Sequence, residues 1–151
     1  MLEIEIKYLE GAQEIEKLEI GDWIDLRSNE DIFIAKGSSA LVHLGVCMKL
    51  PEGYEAILAP RSSTFRKWGI LQTNSIGVID NSYSGNEDEW MMPVYCVNSV
   101  CSMNGREGTY IRKGDRICQF RIQQRMPEVT FVKVRNLQGD SRGGFGSTGT
   151  N

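Results

Sequence analysis

Apolar and polar residues alternate from the start of the chain. Leu2, Ile4 and Ile6 are separated by Glu3, Glu5 and Lys7, the period-two pattern of a strand buried on one face. Short apolar runs then recur at residues 23–26, 32–35, 40–50, 54–58, 76–79 and 92–97, with turn-forming residues between them. Asn104-Gly105 separates residues 100–103 from 109–112. That dipeptide predicts a two-residue hairpin, because both of its positions tolerate positive φ. Residues 116–125 and 129–134 complete the predicted strands. No segment holds a helical period over three turns; one short helix is predicted over residues 62–67, opened by a serine N-cap. Many short strands joined by tight turns predict an all-β sandwich, jelly roll or barrel.

The chain has 151 residues, the size of one domain with a real core. Its composition changes after Leu137. Residues 138–151 are glycine-rich, with one arginine, one phenylalanine, two serines and two threonines, and such a segment cannot pack a core. Gly144-Phe145-Gly146-Ser147-Thr148-Gly149 spells a dinucleotide fingerprint, but no helix or acidic residue follows it. Residues 139–144 have Walker-like glycine spacing, yet Phe145-Gly146 stands where Lys-Ser/Thr is required. What remains is chemical. Unhindered backbone N–H groups, a cation for phosphate and a ring for stacking share one short segment.

A net charge of −3, with scattered basic residues, gives no nucleic-acid-binding surface. The glutamate-rich start lacks the apolar region of a signal peptide, and residues 40–50 are far short of a membrane span. A soluble, cytoplasmic protein is expected, without membrane or nucleic-acid partners. Cys47, Cys96, Cys101 and Cys118 form no C-x-x-C, so they read as small buried hydrophobes. The one histidine, His43, lies in an apolar strand and reads as structural. Any reaction therefore has to run on carboxylates, arginines, hydroxyls and a borrowed metal.

Pro60-Arg61-Ser62-Ser63-Thr64 is a turn leading into a helix start, a place that suits an anion and is also an ordinary capped helix. The run of residues 76–79 delivers Asp80 into a turn with Tyr83 three residues on. Asp80 is either a turn former or a base beside a sugar-stacking ring. Glu87, Asp88 and Glu89 read as a solvated loop. Asp25, between apolar neighbours, points either to a site or to water. Strict alternation puts Arg116, Cys118 and Phe120 on one strand face and Ile117 and Gln119 on the other.

Taken in order, Asp25-Leu26, Pro60-Arg61-Ser62-Ser63, Gly77-Val78-Ile79-Asp80-x-x-Tyr83-x-Gly85, Arg116-Ile117-Cys118-Gln119 and residues 142–149 strongly resemble the five motifs of the trimeric deoxyuridine triphosphatases. The resemblance spans nearly the whole chain. It implies a distorted jelly-roll barrel over residues 1–137, with a flexible arm over residues 138–151 that closes the active site. It also implies hydrolysis of dUTP to dUMP and pyrophosphate by water attack on the α-phosphorus, which limits uracil incorporation into DNA and supplies dUMP for thymidylate synthesis. Mg²⁺ would be bound mainly through the substrate triphosphate, in a homotrimer with sites shared between subunits.

By the same resemblance, Asp80 would be the general base, with Gln119 near the attacking water. Asn74, Gly77, Val78 and Ile79 would hold uracil, and Tyr83 would pack under the deoxyribose. Arg61, Ser62, Ser63, Arg116 and Arg142 would meet the phosphates. Phe145 would cover uracil, with Gly146, Ser147 and Thr148 supplying further contacts. Asp25 would touch the outer water shell of the metal. Three features depart from the family: Asp22-Trp23-Ile24 stands where Ala-Gly is usual before Asp25, residues 86–89 intervene after Gly85 where many relatives go directly to a glutamate and the next strand, and residues 98–114 are longer than a minimal hairpin. Two alternatives remain at this level. One is a dCTP deaminase, which shares the Arg-Ser-Ser block but uses a glutamate where this chain has Asp80. The other is a non-catalytic nucleotide-binding or regulatory protein on the same scaffold, and the sequence does not identify a regulatory protein partner.

Overall fold

In the computed structural model, which describes residues 1–144, the predicted alternation becomes short antiparallel strands. They are β1 (Glu5–Tyr8), β2 (Ile24–Arg27), β3 (Ile32–Ala35), β4 (Ser39–His43), β5 (Val46–Lys49), β6 (Tyr54–Pro60), β7 (Ile70–Gln72), β8 (Gly77–Ile79), β9 (Met91–Cys96), β10 (Cys101–Met103), β11 (Arg106–Ile111) and β12 (Arg116–Gln124). One helix, α1 (Thr64–Trp68), sits between β6 and β7. The sheets run β1-β5, β10-β11-β3, β2-β12-β6-β8 and β4-β9-β7, folded on one another as a distorted jelly roll. Inward residues of these sheets make one core, with Leu26, Leu58, Val42, Met92, Ile111 and Phe120 all buried. Trp90 packs edge-on against Phe120, ring centroids 5.2 Å apart and planes at 83°.

The Asn-Gly hairpin forms as expected: Met103 pairs with Arg106, and Asn104 and Gly105 take φ of 49° and 75°. Cys47, Cys96 and Cys118 are buried free thiols, and burial pushes the Cys118 thiol upward from its ordinary pKa.

Some elements differ from expectation. The run 40–50 breaks at Leu44-Gly45, so that β4 pairs with β9 while β5 pairs with β1. Gly45 has φ 72°, and a Cβ there would stand 2.7 Å from the Ala12 side chain. β7 is too short to announce itself by periodicity. Residues 129–134 form no strand in this chain, and Phe131 is 94 % exposed. The helix begins at Thr64, and Ser63 at its N-cap makes no side-chain cap bond. Thr64 ties this corner instead: its Oγ1 accepts the Arg61 N–H at 2.9 Å and donates to the Ile117 carbonyl at 2.8 Å.

Candidate active site

The turn from β7 to β8, which crosses from one sheet to another, builds one half of the site. Ser75 turns the chain at φ 59°, and the Ile76 N–H reaches back to the Asn74 carbonyl at 2.6 Å. β8 then runs antiparallel to β6, with Gly77 opposite Leu58 and Ile79 opposite Ala56. A cleft of about 350 Å³ opens beside this turn, lined by Asn74, Gly77, Val78, Ile79, Asp80 and Tyr83. Its remaining walls are Leu41, Leu58, Glu89, Trp90, Met91 and Pro93. The sequence-predicted base and sugar residues therefore share one concave surface of largely apolar lining, the usual form of a small-molecule site.

Asp80 leaves the end of β8 exposed, and Oδ1 accepts the Ser82 N–H at 2.7 Å as well as the Ser82 hydroxyl. The hydroxyl bond first, then the N–H bond, lowers the Asp80 pKa below the ordinary aspartate value. Tyr83 is fixed differently: its hydroxyl donates to the Glu89 carbonyl at 2.9 Å. Glu89 is itself anchored, Oε1 accepting the Gly45 N–H at 3.0 Å and Oε2 lying 2.7 Å from His43 Nδ1. The hydrogen bond to Glu89 is the main reason that the His43 pKa is raised. Glu89 is thus a strut under Tyr83, not part of a solvated loop. Its side chain is only 15 % exposed.

The second half is built on β2, β6 and β12. Gln119 pairs with Asp25 on one side and Ala59 on the other, and its Nε2 donates to the Pro60 carbonyl at 3.1 Å. Arg61 Nε donates to Asp25 Oδ1 at 2.7 Å, and Arg116 Nη1 approaches Oδ2 at 3.4 Å. Strict alternation along β12 fails because the register slips between Arg116 and Cys118. Ile117 and Cys118 are consequently both buried, and Arg116 joins Gln119 beside Asp25. Ser62 and Ser63 follow Arg61 in the chain and lead into the helix. The arrangement is a cationic cradle with one internal carboxylate, suited to polyanions.

The chain does not bring the two halves together. Ile79, just before Asp80, pairs with Ala56, whereas Arg61 follows the far end of β6. Five residues at the usual strand rise separate Ala56 from Arg61, roughly 17 Å. Arg142 is exposed, and Phe145, Gly146, Ser147 and Thr148 lie outside the described residues. Among the described residues no three His, Cys, Asp or Glu side chains converge as a metal cage. No helix among them is long and apolar enough to cross a membrane.

Three participants escaped the sequence reading. Ser82 fixes Asp80, Glu89 holds Tyr83, and buried Gln72 donates to Asn74 Oδ1 at 2.9 Å. Of these only Gln72 carries a sequence signal, as the polar residue on the inner side of Ile70-Leu71-Gln72.

A family profile described as dUTPase matches residues 24–149. The SPbeta prophage-derived deoxyuridine 5'-triphosphate nucleotidohydrolase YosS of Bacillus subtilis (strain 168) is 53% identical over 150 residues, 99% of either chain. Among solved structures, a mutant Staphylococcus bacteriophage 80alpha dUTPase with dUpNHpp superposes with TM-score 0.77 at 22% identity, covering 98% of this chain and 99% of that one. A mutant dUTPase from phage phi11 of S. aureus, which coordinates a structural Mg(II) ion, gives TM-score 0.73 at 19% identity, covering 88% and 98%.

Proposed function

The chain belongs to the dUTPase family, and from that premise we propose a division of labour among its residues. It is a dUTP diphosphatase, hydrolysing dUTP to dUMP. The observation that carries the residue-level reading is the single cleft shared by Asn74, the β8 backbone, Asp80 and Tyr83. Uracil lies against Asn74 and residues 77–79, where edge-exposed backbone groups imitate base pairing. The Tyr83 ring packs under the deoxyribose and leaves no room for a 2′-hydroxyl. With Ser82 on Oδ1, Asp80 keeps Oδ2 for a water, orients it toward the α-phosphorus and takes its proton.

Arg61, Arg116, Ser62 and Ser63 receive the phosphates, with Gln119 beside the water. Phosphoryl transfer chiefly requires positioning and charge neutralisation, which such a cradle supplies without a histidine. Mg²⁺ would supply neutralisation of phosphate charge, held mainly through the substrate triphosphate, with Asp25 as the residue that would meet its water shell. The donor set fits this assignment: both Asp25 oxygens already face arginines, which suits contact with the ion's water shell better than direct ligation.

The separation of the two halves supports a homotrimer in which Asp80 of one subunit faces the Arg61 cradle of another. The apolar segment 129–134, exposed here, then has a neighbouring subunit to pack on. Residues 1–137 form the barrel domain, and residues 138–151 act as an arm that brings Arg142 and Phe145 over bound nucleotide.

Pyrophosphate release from a panel of dUTP, UTP, dCTP and dTTP tests the reading, with dUTP expected to stand far above the rest. Ammonia release from dCTP would instead make the protein a deaminase.

A further inference from the structure

Gln72 occupies a position that calls for an apolar residue. Its neighbours on the inner face of this corner are Ile70 and Leu58, and it is only 6 % exposed. Its Nε2 donates to the Leu58 carbonyl at 3.2 Å and to Asn74 Oδ1 at 2.9 Å, while Oε1 is buried with no partner among the described residues. A buried amide left half satisfied is unfavourable, and an apolar side chain of similar size would avoid the loss.

The two donated bonds have a direction. A backbone carbonyl can only accept, so Leu58 fixes which end of the Gln72 amide is nitrogen. That nitrogen in turn requires the oxygen of Asn74, which leaves Asn74 Nδ2 for the cleft that Asn74 lines. An asparagine amide without such a constraint turns easily, because its terminal torsion is broad and roughly two-fold. Gly77 lets β8 lie close over this relay: a Cβ there would stand 3.1 Å from the Leu58 side chain and 3.6 Å from Gln72 Nε2.

We propose that Gln72 is a specificity-determining positioning residue, locking the Asn74 amide so that the cleft offers a donor to the C4 carbonyl of uracil and repels the N4 amino group of cytosine. The inference rests on the placement of uracil against Asn74 given above. With the lock removed, Asn74 can turn its oxygen outward and accept from the cytosine amino group.

The test compares kcat/KM for dUTP and dCTP in Gln72→Leu, Gln72→Glu, Asn74→Ala and the double variant Gln72→Leu/Asn74→Ala, all in the full-length protein. Gln72→Leu should lower the dUTP-to-dCTP ratio by about 10-fold or more, the scale on which an unmatched hydrogen-bonding group is rejected. Gln72→Glu should lower it as well at pH values where the glutamate is ionised, since an ionised carboxylate only accepts and turns Asn74 Nδ2 toward itself. Should the buried glutamate prevent folding, Gln72→Leu alone decides. Asn74→Ala should also lose discrimination, with no further loss in the double variant, because Gln72 acts through Asn74. A wild-type ratio in the Gln72 variants beside a reduced ratio in Asn74→Ala overturns the role of Gln72 and leaves the uracil placement standing. Losses that add in the double variant overturn it too. Undiminished discrimination in Asn74→Ala removes the uracil placement and this inference together.

Discussion

Ser82 donates its backbone N–H to Asp80 Oδ1 at 2.7 Å, and its hydroxyl binds the same oxygen, so one side of the carboxylate is committed before any substrate arrives. Oδ2 is the side left for a water. A carboxylate held in this way is ionised throughout the neutral range, and its rotation is restricted. Asp80→Asn keeps the shape and removes the carboxylate proposed to accept the water's proton. Its kcat should fall by at least ~10²-fold, the scale of a lost general base, with KM changed much less. Steady-state kinetics on dUTP decides, and a near-normal kcat removes Asp80 from the chemistry.

The same relationship sets a pH dependence. If Asp80 is the base proposed above it must be ionised to act, and activity should be lost as pH falls through its pKa, which lies below the ordinary aspartate value. The Ser82 hydroxyl bond is the largest contribution to that lowering. Ser82→Ala removes it and raises the pKa, and the acid limb of kcat/KM should therefore move to higher pH. A pH–rate profile of the variant checks both sign and origin. An unmoved limb assigns it to another group.

Sugar selectivity is expected to depend on Glu89 as well as on Tyr83. The Glu89 carbonyl receives the Tyr83 hydroxyl, and its carboxylate is pinned by Gly45 and His43. If the Tyr83 ring packs under the sugar, Tyr83→Ala should admit a ribose 2′-hydroxyl and raise the UTP-to-dUTP ratio of kcat/KM by more than ~10-fold. Glu89→Ala loosens the strut without touching the ring and should raise that ratio by less. Equal kcat/KM for UTP and dUTP in the unaltered protein would show that the ring does not lie under the sugar.

Much of this architecture was legible in the sequence because it rests on local rules. The Asn-Gly turn and the Gly-Val-Ile-Asp run state their conformation within a few residues, and the alternation that begins at Leu2 becomes a strand from Glu5 onward. What stayed hidden depends on partners distant in the chain. The bulge at Arg116–Cys118 is set by pairing with β2, and it overrides the alternation that placed Arg116 opposite Gln119. Glu89 becomes a strut only because β4 brings His43 and Gly45 beside it. Residues 129–134 have the composition of a strand and no partner within the described residues, so periodicity alone misplaced them.

The arm has its own prediction. Residues 138–144 are exposed and contribute nothing to the core, so deleting residues 138–151 should leave folding and oligomeric state unchanged. If Arg142 and Phe145 close over nucleotide, the deletion should lower kcat/KM for dUTP severely, because closure excludes water and completes the site. Phe145→Ala should have a milder effect. Melting curves and light scattering report the first expectation, and turnover reports the second; full activity of the truncated protein makes the segment a linker.

The distance along β6 carries the last prediction. Asp80 follows Ile79, which pairs with Ala56, and Arg61 lies beyond Pro60 at the opposite end, five residues and roughly 17 Å away. If each site draws Asp80 from one subunit and Arg61 from another, then Asp80→Asn and Arg61→Ala homotrimers should both be nearly inactive through different gaps in the same site. Mixed trimers of the two variants then contain some sites in which an intact Asp80 faces an intact Arg61. Co-refolding equal amounts should therefore restore a measurable fraction of wild-type kcat, about a quarter of sites if subunits assort at random around the closed ring. Simple mixing without subunit exchange should restore none. If both groups served a site within one chain, every subunit of a mixed trimer would lack one or the other, and activity would stay at the level of the parents. Co-refolded samples of trimer mass, assayed beside their parents, distinguish the two arrangements directly.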